Sequence, residues 1–384
     1  MSLTWEPVER PGVRSDEPLW IIYALGGGAG HWTRAISLAR QAARHRIATR
    51  ILTNSPSRFL RALEAEKNRE NFTCLIPLDP KIEIVRIPST YDREQVSVIC
   101  QRELAACDMQ DVLIVDSFPC GIAGELRETL QDLSAHKVFI HRDLNPEYIR
   151  WGQLEDFVCQ YNLVISPGEA GPLDHLVRAR SNPWLVCDAN ESAPRAIARR
   201  MFGVAENSHI PLIVVSGCGT SDESLEMARF ALRLHSEFGT SCHVRMTSLD
   251  EAAVREAGDI GVSLWPLLAV LPGVDLIVGA GGYHTVYESR VTQTPLFGIP
   301  QTRLYDRQSR RLLATERAAN HDDLTKKIAG FVLQFRVSKA EMPQPYANGA
   351  SEAFEIIVAS QSRGLAAVPG YVPNAKGTPD AVTP

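Results

Sequence analysis

The stretch VDLIVGAGGYHTVYESRVTQTPLFGIPQTRLYDRQSRR, Val274 to Arg311, runs from an apolar segment through a glycine turn and a helix-period segment to a second apolar segment. That order reads as a βαβ unit. A continuous apolar run suits a strand covered on both faces, and the glycines let the backbone turn tightly into a helix. The strand is expected to end at Gly279, the loop to run Gly279-Ala280-Gly281-Gly282, and the helix to cover Tyr283 to Arg290. A helix start presents free N–H groups and the positive end of the helix dipole, so it attracts an anion. Backbone N–H groups near Gly282, Tyr283 and His284, with the Thr285 hydroxyl, could hold a diphosphate without a metal. Glu288 lies too far inside the helix for phosphate but can accept hydrogen bonds from ribose hydroxyls. After the next strand Pro300 turns the chain. Asp306, Arg307 and Gln308 then offer the mixed donors and acceptors that hexose hydroxyls need. The structural alternatives are that Glu288 pairs with Arg290 or Arg307 and that Asp306 caps the helix that follows.

Working outward, the same alternation fills the chain. Strands are expected at Leu19–Leu25, Ala48–Thr53, Ile82–Ile87, Asp111–Asp116, Lys137–His141 and Asn162–Ser166, with helices such as Trp32–Arg44 and Gly121–Leu133. Pro172, Pro183 and Pro194 punctuate a looser segment that holds a short strand candidate, Trp184–Cys187. The series restarts with Pro211–Ser216, Cys242–Met246, Gly261–Trp265, Val274–Gly279 and Thr294–Ile299, and helices at Asp322–Phe335 and Ser351–Ser362 close it. The fold class is therefore α/β: two Rossmann-like, doubly wound parallel-sheet domains facing across a cleft at their strand C-terminal ends. The expected divisions are a flexible N-terminus (1–17), an acceptor-side domain (18–171), an interdomain segment (172–193), a nucleotide-sugar-binding domain (194–346), a C-terminal helix (347–363) and a flexible tail (364–384).

A second glycine loop, Gly26 to His31 (GGGAGH), follows the first strand. It lacks the Gly-Lys-Ser/Thr ending of a P-loop, and its spacing does not fit the GxGxxG dinucleotide fingerprint. His31 stands at the helix start, where a neutral imidazole can take a proton from an attacking hydroxyl, or where it can simply cap the helix. Asp116, at the end of its strand, is the candidate orienter of His31 or an alternative base.

Composition sets the outer bounds. Of 384 residues 45% are hydrophobic and 22% charged, the balance of a chain that builds cores. A net charge of -5 argues against nucleic-acid binding through bulk positive charge. The most apolar stretch, Trp265 to Gly282, is broken by Pro266, Pro272 and Asp275, so no transmembrane segment is expected. The polar, acid-containing first residues do not read as a signal peptide, and the eight cysteines lack a CxxC pair and read as reduced core thiols. A cytoplasmic location follows as the expectation. The basic stretch Arg34 to Arg50 reads as a solvated helix face, with peripheral contact to anionic lipid as the alternative.

The stretch from Gly282 to Gln308 resembles the donor-binding region of GT-B glycosyltransferases, most closely the peptidoglycan N-acetylglucosaminyltransferase (MurG) type. That family's pattern is a helix start with Thr and Glu, two prolines around a strand, then Asp-Arg-Gln; here these are Gly282, Thr285, Glu288, Pro295, Pro300 and Asp306-Arg307-Gln308. Its N-terminal Gly-Gly-x-Gly-Gly-His loop matches Gly26 to His31 with Ala29 in place of a glycine, and its His-Glu-Gln-Asn segment is echoed by His141-Arg142-Asp143-Leu144. The resemblance implies that backbone at Leu264 and Trp265 contacts uracil, Glu288 the ribose and Gln308 the donor sugar. It places Gly28, Gly30, His141 and Asp143 on the acceptor side. The sequence departs from the pattern at Ser309, at Gly217-Cys218 in the loop after the first C-terminal strand, and in the segment Asp116 to Glu125. The implied activity is hexosyl or N-acetylhexosaminyl transfer from a UDP-sugar to an acceptor hydroxyl, inverting, with neither metal nor cofactor. A UDP-sugar hydrolase or 2-epimerase, or a non-catalytic sugar-nucleotide binder, are the rival readings.

Overall fold

The computed structural model describes residues 17–26, 28–55, 73–217, 219–336 and 344–363. The expected flexible tail, nearly all of the N-terminal segment, and Cys218 lie outside the described residues.

Among the described residues the strands are β1 (Leu19–Tyr23), β2 (Ala48–Thr53), β3 (Thr73–Cys74), β4 (Ile82–Arg86), β5 (Val112–Asp116), β6 (His136–Ile140), β7 (Leu163–Pro167), β8 (Ala179–Ser181), β9 (Leu212–Ser216), β10 (His243–Thr247), β11 (Gly261–Val262), β12 (Leu264–Trp265), β13 (Leu276–Gly279) and β14 (Leu296–Gly298). The first sheet has the order β4-β2-β1-β5-β6-β7-β8 and the second β11-β10-β9-β13-β14, with neighbouring strands parallel in both. In each, the order reverses beside its first strand in the chain, between β1 and β5 and between β9 and β13. A crevice opens at such a switch point.

The helices that place the site are α1 (Ala29–Arg44), α2 (Tyr283–Thr292), α3 (His321–Gln334) and α4 (Gly349–Arg363). One buried cluster runs from Trp20, Ile36 and Ile114 of the first unit through Trp184 and Val186 to Val214 and Ile277 of the second. The final helix α4 packs back onto the first unit: the Phe354 ring lies 5.2 Å from Trp20 and 4.2 Å from His45, and Gln361 Nε2 donates to the Gln110 carbonyl at 2.8 Å.

Four local expectations are corrected. The helix expected from Gly121 begins only at Arg127, because Gly121 (φ +81°) and Gly124 (φ +85°) sit in the left-handed region that a right-handed helix cannot include. Trp184–Cys187 forms no strand; these residues are a buried connector that bends at Val186 and Cys187, and the short strand lies just before them at β8. Gly261–Trp265 splits, with β11 joining the second sheet and β12 pairing with β3 of the first unit. The basic stretch is a solvated face only at Arg44, His45 and Arg46. Arg34 and Arg40 are buried, Arg40 pairing with Glu191 at 2.5 Å, and Arg50 reaches Glu83 and Glu103 at 2.8 and 2.9 Å.

The described cysteines are free, and Cys100, Cys120, Cys187 and Cys242 are buried. Among the described residues no helix is long and apolar enough to cross a membrane, and no group of three His, Cys, Asp or Glu is placed to hold a metal ion.

Candidate active site

The N-terminal wall of the crevice is built where β1 and β5 pair, Tyr23 opposite Val115. The loop after β1 enters α1 at Ala29, with Gly28 in extended backbone and no side chain capping the helix. A Cβ on Gly26 would overlap the His31 ring, so this glycine is what lets the imidazole fold over the loop. There His31 Nδ1 lies 2.7 Å from Asp116 Oδ2. Arg34, fully buried on the same face of α1, donates from Nε to Asp116 Oδ1 at 3.1 Å and from Nη2 to Oδ2 at 2.7 Å. Ser117 Oγ adds a bond to Oδ1 at 3.0 Å, and Phe118 stacks on His31 with centroids 5.3 Å apart.

This packing sets the protonation. Burial alone would raise the Asp116 carboxyl, but Arg34 and His31 outweigh it and hold it far below the usual carboxylate range. For His31 burial dominates and lowers the imidazole below its ordinary value, with Asp116 opposing and Arg34 and Arg142 reinforcing. A neutral ring beside a carboxylate keeps its proton on Nδ1 and leaves Nε2 as an acceptor, the arrangement of an oriented general base.

The facing wall is α2, which starts at Tyr283 with Gly282 as an uncapped N-terminus and no acid in its first turn. Gly281 allows a close approach: a Cβ there would stand 2.5 Å from the Gln308 carbonyl oxygen, so the 306–308 loop packs directly on the helix start. Gln308 is buried and its Oε1 accepts from Gln301 N–H at 3.0 Å, fixing the amide. Thr285 is half-buried in the first turn. Glu288 is 6% exposed, and its nearest ionic neighbour is His284 Nδ1 at 3.9 Å; burial pushes its carboxyl up to about 7. It pairs with neither Arg290, which holds Glu316, nor Arg307, which holds Asp143. Asp306 caps no helix and binds Arg311 at 2.6 and 3.0 Å instead.

Other expected donor residues are placed more loosely. Gly217 directly follows β9, and its N–H donates to the Thr247 carbonyl at 2.8 Å. Leu264 and Trp265 are buried in β12, and the Trp265 carbonyl accepts from Leu75 N–H at 2.8 Å, so that oxygen is already engaged.

The two walls touch. His284 Nε2 bonds the Gly30 carbonyl at 3.1 Å, Tyr283 Oη donates to the Pro167 carbonyl at 2.9 Å, and Tyr287 Oη donates to the Gly168 carbonyl at 2.8 Å. Asp143 takes ion pairs from Arg307 and from Arg310 at 3.1 Å, and Glu169 joins Arg142 at 2.9 Å to Arg311 at 2.6 Å. His141 stands behind this network. It is fully buried, accepts from Leu173 N–H at 3.3 Å at Nε2, and burial lowers it to about 4. Sequence reasoning missed Arg34, Arg142, Glu169 and Arg311 as members of the site. For Arg34 a signal existed: it follows His31 by three positions and so shares its helix face.

No protein-family model and no curated protein matches the sequence. Solved structures do match in shape. The spinosyn rhamnosyltransferase SpnG complexed with thymidine diphosphate superposes with a TM-score of 0.51 at 15% identity, covering 92% of this chain and 97% of that one. The UDP-GlcNAc 2-epimerase of Methanocaldococcus jannaschii also gives 0.51, at 10% identity over 89% of this chain and 99% of that one. The MurG of Acinetobacter baumannii gives 0.44 at 12% identity over 89% and 99%, too distant to bear on donor or acceptor. With two parallel-sheet α/β units and a last helix returning to the first, the chain has the GT-B fold of these glycosyltransferases.

Proposed function

We propose that the protein is a glycosyltransferase that moves a hexose or N-acetylhexosamine from a UDP-sugar to an acceptor hydroxyl with inversion. The observation that carries the reading is the His31–Asp116 pair, 2.7 Å apart at one switch point, facing an uncapped helix start at the other. In the reaction the acceptor oxygen attacks the anomeric carbon while its proton passes to His31 Nε2. The bond from that carbon to the diphosphate oxygen breaks, and UDP leaves with the electron pair. The N–H groups at Gly282 to Thr285 stabilise the departing charge. Glu288 accepts from the ribose hydroxyls, Gln308 offers its remaining amide N–H groups to the sugar, and the Leu264–Trp265 segment lies beside the base. A rhamnosyltransferase of this fold was crystallised with thymidine diphosphate, which agrees with a nucleotide at this seam.

A second reading is favoured by one observation, the equal structural likeness to a UDP-GlcNAc 2-epimerase. Incubating the protein with UDP-sugars separates the two. UDP released only when an acceptor is present supports transfer; free sugar or a 2-epimer formed without acceptor supports the rival.

A further inference from the structure

Two guanidinium groups of the N-terminal wall converge on one ring of the opposite wall. Arg34 Cζ lies 5.3 Å and Arg142 Cζ 4.6 Å from the centre of the Tyr283 ring. Each is anchored on one side only, Arg34 by Asp116 and Arg142 by Glu169. Arg34 Nη1 and Arg142 Nη2 are both buried without a hydrogen-bond partner. The two come from separate elements, α1 and the segment after β6. A Cβ placed on Gly30 would have Arg34 Nη1 at 3.6 Å and the His284 ring at 4.0 Å as its only close neighbours, so the free Arg34 N–H groups lie above the glycine loop.

Leaving such donors unpaired costs free energy, and crowding two like charges away from water costs more. The repulsion is visible in Arg34, whose guanidinium is lowered first by burial and next by Arg142. Both costs are offset when an oxyanion takes the free N–H groups, because guanidinium bonds to phosphate are among the stronger hydrogen bonds in proteins. We therefore propose that Arg34 and Arg142 form a phosphate-binding subsite on the N-terminal wall, in addition to the helix start at Gly282, and that it fills when the two units part to admit substrate. The inference deepens the nucleotide-sugar reading, since the phosphate belongs either to the donor diphosphate or to an anionic acceptor.

The test uses the full chain and inorganic pyrophosphate, with uridine and UDP alongside, read by calorimetric titration. Pyrophosphate is expected to bind the wild type and to lose about tenfold or more in affinity in Arg142→Gln. Arg310→Gln, which removes the same charge from the rim, should change it by less than about twofold. Arg142→Lys keeps a charge beside Glu169 if the Gln variant folds poorly, and should still weaken binding because one ammonium cannot replace the fork. Pyrophosphate that fails to bind, or that binds Arg142→Gln like the wild type, overturns the subsite. UDP that binds tightly and equally to both proteins also overturns it while leaving the nucleotide reading intact. UDP that binds no better than pyrophosphate, with the Arg142 effect present, keeps the subsite and removes the nucleotide reading. UDP displacing pyrophosphate assigns the phosphate to the donor, and additive binding assigns it to the acceptor; either result supports the subsite.

Discussion

Arg34 grips Asp116 by both carboxylate oxygens, at 3.1 and 2.7 Å, while His31 Nδ1 holds the second oxygen at 2.7 Å. Both partners of the ion pair are buried, so neither charge is solvated if the other is lost. Asp116→Asn is expected to destabilise the fold by about 3 kcal/mol through the stranded guanidinium. Urea denaturation measures this, and an unchanged midpoint with an unchanged slope would show that Arg34 finds another partner.

His31→Ala should lower kcat by about 10²- to 10⁴-fold, the range of a lost general base, with UDP affinity nearly unchanged. A parallel loss of UDP binding would make His31 a binding group instead. The pH profile carries a sign as well. Burial lowers the imidazole below its ordinary value of about 6.5, and the base must be neutral, so kcat/KM falls only on the acid side of that value. An acid limb centred above it would contradict the burial argument.

Burial pushes the Glu288 carboxyl up to about 7 from its ordinary value of about 4.5, so between these pH values the folded state holds the extra proton. Stability therefore falls as pH rises through this window, and the loss is complete above about pH 7. Glu288→Gln removes that loss: equal in stability to wild type near pH 4, it should be more stable at pH 8 by on the order of 2–3 kcal/mol. The same variant should bind UDP more weakly, having lost the ribose acceptor. A variant less stable than wild type at pH 8 would mean that Glu288 is ionised and well satisfied.

Asp143 ties Arg307 and Arg310 to the N-terminal wall. In Asp143→Ala, hydrogen exchange is expected to quicken at the Asn145 amide, which donates to the Tyr305 carbonyl, and at the neighbouring Leu144–Asp306 bridge. Exchange that quickens throughout both sheets would point to global destabilisation rather than a loosened seam.

Phe354→Ala should cost about 3–4 kcal/mol, the price of a large ring lost from a core. Phe354 is 4% exposed between Trp20 and His45. Loss of less than about 1 kcal/mol in chemical denaturation would show that α4 contributes little to the first unit.

The sheets were legible because most of their strands sit in short apolar runs: Leu19 and Val274 open segments whose strands differ by only a few residues, and the more polar Ala48–Thr53 is also found as expected. The glycine loops, and the positions of His31 and Asp116 beside the switch point of the first sheet, followed from strand ends. What stayed hidden depends on partners distant in sequence. Arg34 counts as polar on a helical wheel, yet Asp116, eighty-two positions away, makes it a core residue. Glu169 links Arg142 to Arg311 across the whole chain, and no local pattern announces a pairing of that kind. The split of Gly261–Trp265 needed knowledge of β3, which is too short to show a period.

The position of α4 has a mechanical consequence. By chain order it follows α3, which is packed in the second unit's core, yet by contact it belongs to the first. The polypeptide therefore passes between the halves twice, once near Trp184 and once between α3 and α4. A single protease cut near Trp184 should therefore leave both fragments joined, because the buried face of α4 stays packed on the first unit.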